Sequence, residues 1–232
     1  MPWPTLPSQC EVCRRFDAAR LCLACIERFA PTVTRCQRCA LRVGGGVDIC
    51  GQCLRTPPPF EHTVCAVDYA FPWDQLIVGM KFFDQPELAA PLAALLVQAV
   101  RAALARLPTP LPALVLPVPL ARARLAERGY NQAWELARRA AAALHLPAHA
   151  ALLLRPIETA HQADLTRQQR LANLRAAFVV DESQRIVVAG QRVALVDDVL
   201  TTGATAQEAT LALLRGGAAA VDVWVIARTA ED

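Results

Sequence analysis

The stretch Val193-Ala194-Leu195-Val196-Asp197-Asp198-Val199-Leu200-Thr201-Thr202-Gly203-Ala204-Thr205 constrains this chain more than any other feature. An apolar run of strand length delivers two carboxylates, and a short hydroxyl-rich loop then opens directly into a helix. Backbone N–H groups at a helix N-terminus point outward unpaired and the dipole favours negative charge, so such a loop suits an anion. Gly203 lets the backbone close in, and Thr201, Thr202 and Thr205 add hydroxyl donors. Two acids facing a phosphate would repel it. Beside it they suit the hydroxyls of a sugar, or a Mg²⁺ on those hydroxyls. The parts describe a receptor for a sugar phosphate; the plainer reading is a strand–turn–helix with a capping Thr and two solvated acids.

The rest of the chain alternates in the same manner. Thr63 to Tyr69, Ala113 to Val118, Arg192 to Val196 and Val221 to Ile226 read as strands, with short ones near Leu152 and at Phe178 to Val180. Pro86 falls in the first turn of a helix lined by Leu88, Leu92, Leu95 and Ala99. Asn131 caps another, lined by Ala133, Ala137, Ala140 and Leu144, and Gly203 to Leu214 forms a third. Strand and helix in alternation argue for a mostly parallel sheet flanked by helices, with ligands beyond the C-terminal strand ends. This domain is expected over residues 59–232. Pro57-Pro58-Pro59 stiffens its boundary with a cysteine-rich module at residues 1–58. The apolar stretch Leu88 to Leu107 is interrupted by Pro91, Gln98, Arg101 and Arg106, which makes it an amphipathic helix and not a membrane span. Met1 to Pro4 shows neither region of a signal peptide, so a cytoplasmic protein is expected.

The acid-and-threonine stretch resembles the signature by which type I phosphoribosyltransferases bind 5-phosphoribosyl-1-pyrophosphate (PRPP): four apolar residues, two acids and Thr-Thr-Gly-x-Thr. The resemblance implies that fold. It also implies that Asp197 and Asp198 contact the ribose hydroxyls and that Thr201, Thr202, Gly203, Ala204 and Thr205 hold the 5′-phosphate, with Mg²⁺ accompanying PRPP.

A second loop follows Leu116-Pro117-Val118-Pro119-Leu120, where Arg122, Arg124 and Arg128-Gly129-Tyr130-Asn131-Gln132 cluster. Guanidiniums bind phosphate oxygens bidentately, so this strand end suits pyrophosphate, although a solvated Arg-rich turn reads the same way in isolation. With the first motif, it makes nearly the whole chain resemble the ComF family, in which a double zinc ribbon precedes a type I phosphoribosyltransferase domain. Pro117, Pro119, Arg124 and Arg128 to Gln132 carry that likeness. So do Thr159, Gln162, Leu165, Arg170, Asn173 and Phe178, a segment resembling the domain's mobile element. The resemblance places Lys81, the single lysine of the chain, near the phosphates; otherwise it is a chance surface lysine. It implies Lys81, Pro119 and Arg124 as further PRPP ligands, and Asp197, Asp198, Arg124 and Arg128 as the catalytic set. It also links the chain to DNA uptake, with single-stranded DNA or a competence helicase as partner. Type I transfer asks little covalent chemistry of a protein, so these motifs speak of binding more than of turnover, and nothing in the sequence names an acceptor.

Eight of the nine cysteines form the pairs Cys10/Cys13, Cys22/Cys25, Cys36/Cys39 and Cys50/Cys53. Each Cys-x-x-Cys presents two sulfurs to one ion and two pairs complete a tetrahedron, which gives two structural zinc sites. Iron–sulfur binding is the alternative metal. The resemblance to a double zinc ribbon favours consecutive pairing, the first two pairs and the last two, with a cross-braced arrangement (first with third, second with fourth) as the alternative. The module either serves only to fold or docks single-stranded DNA or a partner. Eight thiolates and two Zn²⁺ bring the formal charge from +3 to about −1, so bulk charge does not argue for nucleic acid. Cys65 stands alone in a strand and reads as a small buried apolar residue. His62, His145, His149 and His161 show no metal spacing and are expected on turns and helix ends.

Overall fold

Four strands build the central sheet of this molecule, and apolar runs covered on both faces form its two inner ones. A computed structural model describes residues 8–106, 109–156 and 177–230. The cysteine-rich segment carries β1 (Ser8–Gln9), β2 (Phe16–Asp17), α1 (Leu23–Phe29) and α2 (Gly51–Arg55). Then come β3 (Thr63–Asp68), α3 (Trp73–Phe82), a 3₁₀ turn, α4 (Ala89–Leu104), β4 (Leu114–Pro117), α5 (Arg122–Arg128) and α6 (Gln132–Leu144). The chain continues through β5 (Leu153–Leu154), β6 (Val179–Val180), α7 (Arg185–Val188), β7 (Arg192–Leu200), α8 (Ala204–Arg215) and β8 (Ala220–Arg228).

The central sheet is parallel throughout, in the order β3-β8-β7-β4, and β5 pairs with β6 antiparallel outside it. Side chains alternate across β7: Val193 and Leu195 enter one core cluster with Ala209 and Leu213 of α8, while Ala194 and Val196 enter another with residues of α3, α4 and α6. Every residue of β8 is buried, which explains its unbroken apolar reading. The segment Pro86–Leu104 is long and apolar enough to cross a membrane, but Leu92 and Leu96 are wholly buried in the core. Its apolar face is used inside the fold.

Three local expectations need correction. The strand expected to stop at Val196 runs to Leu200, because Asp197, Val199 and Leu200 still pair with Val225, Ala227 and Arg228. The helix α3 was not anticipated, and Lys81 lies in its last turn. Its buried Gly79 faces Leu88, whose Cδ1 would lie 3.2 Å from an added Cβ. The Arg-rich turn is the helix α5. None of its residues is buried, so it has no apolar stripe to read. The segment from Thr159 to Asn173, including His161, lies outside the described residues.

The cysteine segment is seated on the sheet domain. Thr63 N–H donates to Gln37 O at 2.8 Å and Thr63 Oγ1 to Arg38 O at 2.6 Å, which occupies the start of the β3 edge. Arg35 (2.8 Å) and Arg42 both pair with Asp68 at the other end of β3. Burial would raise the Asp68 carboxyl, but the two guanidiniums outweigh it and hold the group below the usual range. Nearer the N-terminus, Trp73 Nε1 donates to Phe29 O at 2.8 Å and Phe29 meets Phe71 edge-on at 5.6 Å.

Candidate functional site

The C-terminal end of β7 brings Asp198 against Lys81. Asp198 is buried and its Oδ1 lies 2.8 Å from Lys81 Nζ. Its other oxygen, Oδ2, is buried without a hydrogen-bond partner among the described residues. An ionised carboxylate accepts at both oxygens, so this orphan marks a position for a donor the chain does not supply. Asp197 follows on the opposite side of the strand and accepts from the Asp198 N–H at 2.8 Å. Desolvation and then the neighbouring Asp198 charge push the Asp197 carboxyl up to about 7, against the opposing pull of Lys81 and Arg155.

The loop that follows is shaped as the sequence implies. Gly203 has φ +80°, a left-handed conformation that other residues resist, and it stands at the N-cap of α8. Thr201, Thr202 and Ala204 are exposed and Thr205 is half-buried. Ala204 N–H donates to Thr202 Oγ1 at a long 3.4 Å. The carbonyl side of the loop is fixed from beneath: Arg228 Nη1 donates to Leu200 O (3.1 Å) and Thr201 O (2.6 Å).

Around the rim stand the arginines. Arg124 is exposed on α5. Arg155, after β5, feels both Arg124 and Asp197, and burial followed by the Arg124 charge lowers its proton affinity. Arg128 stacks over Phe82 at 5.1 Å and donates to Gln132 Oε1 at 2.5 Å. Tyr130 donates to the carbonyl of Met80, next to Lys81. Asn131 caps α6 through the N–H groups of Ala133 and Trp134, and its amide donates to Val118 O at 3.1 Å. Arg-Gly-Tyr-Asn-Gln is thus a clamp that sets β4, α6 and the Lys81 turn in register, with Gly129 in the left-handed cap of α5. Half-buried Pro119 leads from β4 into this clamp. Arg155, Arg228 and the exposed Phe82–Phe83 pair were missed from sequence. They sit one residue beyond a short strand, at the end of a strand and at the end of an unexpected helix, and no motif flags them.

The cysteines settle into two clusters: Cys10, Cys13, Cys22 and Cys25, and Cys36, Cys39, Cys50 and Cys53. In each, one sulfur per residue lies within 4.8 Å of the others. Consecutive pairing is therefore the arrangement. Cys13 and Cys22 sulfurs are 3.7 Å apart, and Cys39 and Cys50 sulfurs 3.6 Å. Zn–S bonds of about 2.3 Å in a tetrahedron give edges of about 3.8 Å, so the sulfurs are spaced for one ion and not for a multi-iron cluster. Each cluster repeats one N–H···S bond, from Cys22 N to Cys10 (3.4 Å) and from Cys50 N to Cys36 (3.3 Å). Burial opposes ionisation of Cys10 and Cys36, yet backbone donors bring them down to about 6 and about 7. Burial and the neighbouring sulfurs push Cys25 and Cys53 up. Four thiolates converge only around a cation, and the donor set fits zinc. Cys65 is buried as expected, with Sγ 3.0 Å from Val67 O.

A parallel sheet flanked by helices, an acid-bearing strand entering a Thr-Gly loop, and two four-cysteine clusters define the class: a phosphoribosyltransferase-type α/β domain with an N-terminal double ribbon able to hold zinc. The chain is 36% identical over 228 residues to the DNA utilization protein YhgH of Escherichia coli (strain K12), covering 97% of this chain and 99% of that protein. It is 34% identical over 208 residues to Competence protein F of Haemophilus influenzae, covering 90% of each. It belongs to the ComF family that these proteins represent. No family model matches the chain. Among solved structures, glutamine PRPP amidotransferase from B. subtilis, complexed with ADP and GMP, aligns with a TM-score of 0.43 at 19% identity, over 64% of this chain and 30% of that enzyme.

Proposed function

We propose that the domain binds PRPP with Mg²⁺ and transfers its phosphoribosyl group to an acceptor. The observation that carries this reading is the buried, unpartnered Asp198 Oδ2 beside the Thr201–Thr205 loop. Ribose hydroxyls are donors of the right reach, and the exposed loop supplies N–H and hydroxyl groups for the 5′-phosphate. Lys81, Arg124, Arg128 and Arg155 supply positive charge for pyrophosphate, with Pro119 on the adjoining turn. The carboxylate and hydroxyl oxygens of this site are hard donors of the kind Mg²⁺ takes, and the bound ion would neutralise charge on the departing pyrophosphate. In the reaction an acceptor atom bonds to C1′ as the C1′–O bond breaks with its electrons on pyrophosphate, and the acceptor's proton passes to solvent. The acids hold the sugar while the basic groups hold the leaving group. Calorimetric titration of Mg²⁺–PRPP tests this: saturable, Mg²⁺-dependent binding is expected, and heat indistinguishable from dilution refutes it.

A second reading is a DNA-handling factor. The names of the relatives favour it, and so do Phe82 and Phe83, which are 66% and 68% exposed with Arg128 stacked on the first. Bases stack on such surfaces without sequence preference. Trp73 and Trp224 are buried and contribute nothing. Titration with a fluorescent single-stranded oligonucleotide separates the two readings.

A further inference from the structure

Arg228 does something neither reading requires. It ends β8, only 5% exposed, and no carboxylate pairs with it among the described residues. All its recorded partners are a carbonyl or a hydroxyl. Nε donates to Cys39 O at 2.9 Å, in the second cysteine cluster. Nη1 is shared among Leu200 O, Thr201 O, Thr229 O (2.8 Å) and Thr229 Oγ1 (3.1 Å). A buried guanidinium satisfied by carbonyl dipoles loses much if its acceptors move. It also places a positive charge directly under a loop built for an anion.

An apolar link runs beside the polar one. Ala40 follows Cys39, is fully buried, and shares a cluster with Leu200 and with Ala206 in the first turn of α8. Its own N–H returns to Cys36 O at 2.8 Å, and its φ is +58°. The second cluster is thus tied to the loop twice: Cys39 O through Arg228, and Ala40 through an apolar cluster that includes residues on both flanks of Thr201–Thr205. Among the described residues the first cluster's segment meets the domain elsewhere. Leu21 is buried in the main core with Leu88 and Met80, Phe29 O accepts from Trp73, and Arg20 lies 3.6 Å from Glu87.

We infer that Arg228 is a positioning residue that couples the second cysteine centre to the anion loop: metal held by Cys36, Cys39, Cys50 and Cys53 orders the loop, and a phosphate ligand in the loop retains that metal. Coupling of this kind is reciprocal by thermodynamic necessity. It rests on the reading of Thr201–Thr205 as a phosphate site, and the two are tested separately.

The ligand-free test is hydrogen exchange on zinc-loaded protein. Arg228→Lys keeps a charge but cannot span both acceptor groups. Loop amides from Thr201 to Thr205 should exchange about tenfold faster in it, while those of Val193 to Val196 are unchanged and zinc content stays at about two. Loop exchange equal to the parent protein overturns the inference. The second test leaves Arg228 in place: a chromogenic chelator draws zinc from the parent protein, and from one variant of each cluster, with and without Mg²⁺–PRPP. One of the two zinc ions should leave more slowly with ligand, and Cys13→Ser should retain that slow phase while Cys50→Ser loses it. PRPP that binds yet slows neither ion, or both equally, also overturns it. A parent protein that fails to bind PRPP by calorimetry refutes the phosphate reading instead, and the exchange result still decides the coupling.

Discussion

The cysteine clusters and the acid pair both gather negative charge in a small space, and they resolve it in opposite ways. In each cluster four sulfurs converge, backbone N–H groups point at them, and the geometry closes around one cation. At the end of β7 the charges are left half answered. Lys81 takes one oxygen of Asp198, the other has no partner, and Asp197 is held so uncomfortably that its carboxyl titrates near 7. A site that satisfies itself stabilises the fold, and a site left unsatisfied under these costs is kept for a ligand. The same chain displays both, and Arg228 links the second cluster to the loop that follows the acids.

If this contrast is right, the largest effect should come from opening a closed site. Cys36→Ser should reduce zinc from about two to about one per chain by elemental analysis. It should also lower thermal stability by several kcal/mol, because a ribbon this small buries too little to fold without its metal. A stable Cys36→Ser protein that retains two zinc ions would break the distinction. Next in size is the open site. Asp197→Asn with Asp198→Asn should weaken Mg²⁺–PRPP binding at least about a hundredfold, roughly 2.7 kcal/mol. The fold should stay intact with only a modest change in melting temperature, since relief of the Asp197–Asp198 repulsion offsets loss of the Lys81 ion pair and no packing is removed. Unchanged affinity in calorimetry would refute the assignment of these acids.

Lys81→Met sits between the two behaviours. It strands Asp198, a nearly buried carboxylate, without its cation, and should cost about 1–3 kcal/mol of stability in denaturant melts, less than for a fully buried pair because Lys81 is partly solvated. A loss below measurement would mean that water replaces the ammonium freely and that the pair is not the constraint it looks.

The pH dependence of stability follows from Asp197. Its carboxyl rises from 3.8 to about 7 on folding. Across that window the unfolded chain releases a proton that the folded one keeps, so this group makes stability fall as pH rises from about 4 to about 7, and it contributes no slope outside. Asp197→Asn should remove that slope. An identical pH profile in the variant would show that Asp197 is solvated like an ordinary surface acid.

How much of this was legible in the sequence follows the same division. Cys-x-x-Cys spacing and the acid-Thr-Gly stretch announce themselves, because chemistry that needs fixed geometry leaves residues at fixed intervals. The consecutive pairing of cysteines was favoured by the likeness to a double zinc ribbon and is what the clusters show, although spacing alone allows more than one closure. Strands β7 and β8 were visible from burial on both faces. The helix α5 was not, because a helix with no buried residue carries no stripe. Arg228 and Arg155 were invisible for another reason. An arginine among 23 has no local signature, and its role comes from what β8 and β5 bring beside it after folding.

The smallest effect discriminates the two functional readings. Phe82 is exposed and Arg128 stacks on it, so Phe82→Ala should change stability by no more than about 0.5 kcal/mol. Its effect on ligands then has a clean meaning. Under the DNA reading the ring is a stacking platform, and its loss should weaken single-stranded DNA binding by about 1–3 kcal/mol while PRPP affinity stays level. Under the transferase reading the ring holds Arg128 beside the pyrophosphate position, so the same substitution weakens PRPP binding modestly and leaves oligonucleotide binding alone. Measuring both ligands on one variant therefore assigns the exposed face of α3 to one partner, because a ring that only anchors an arginine has no reason to be felt by a base.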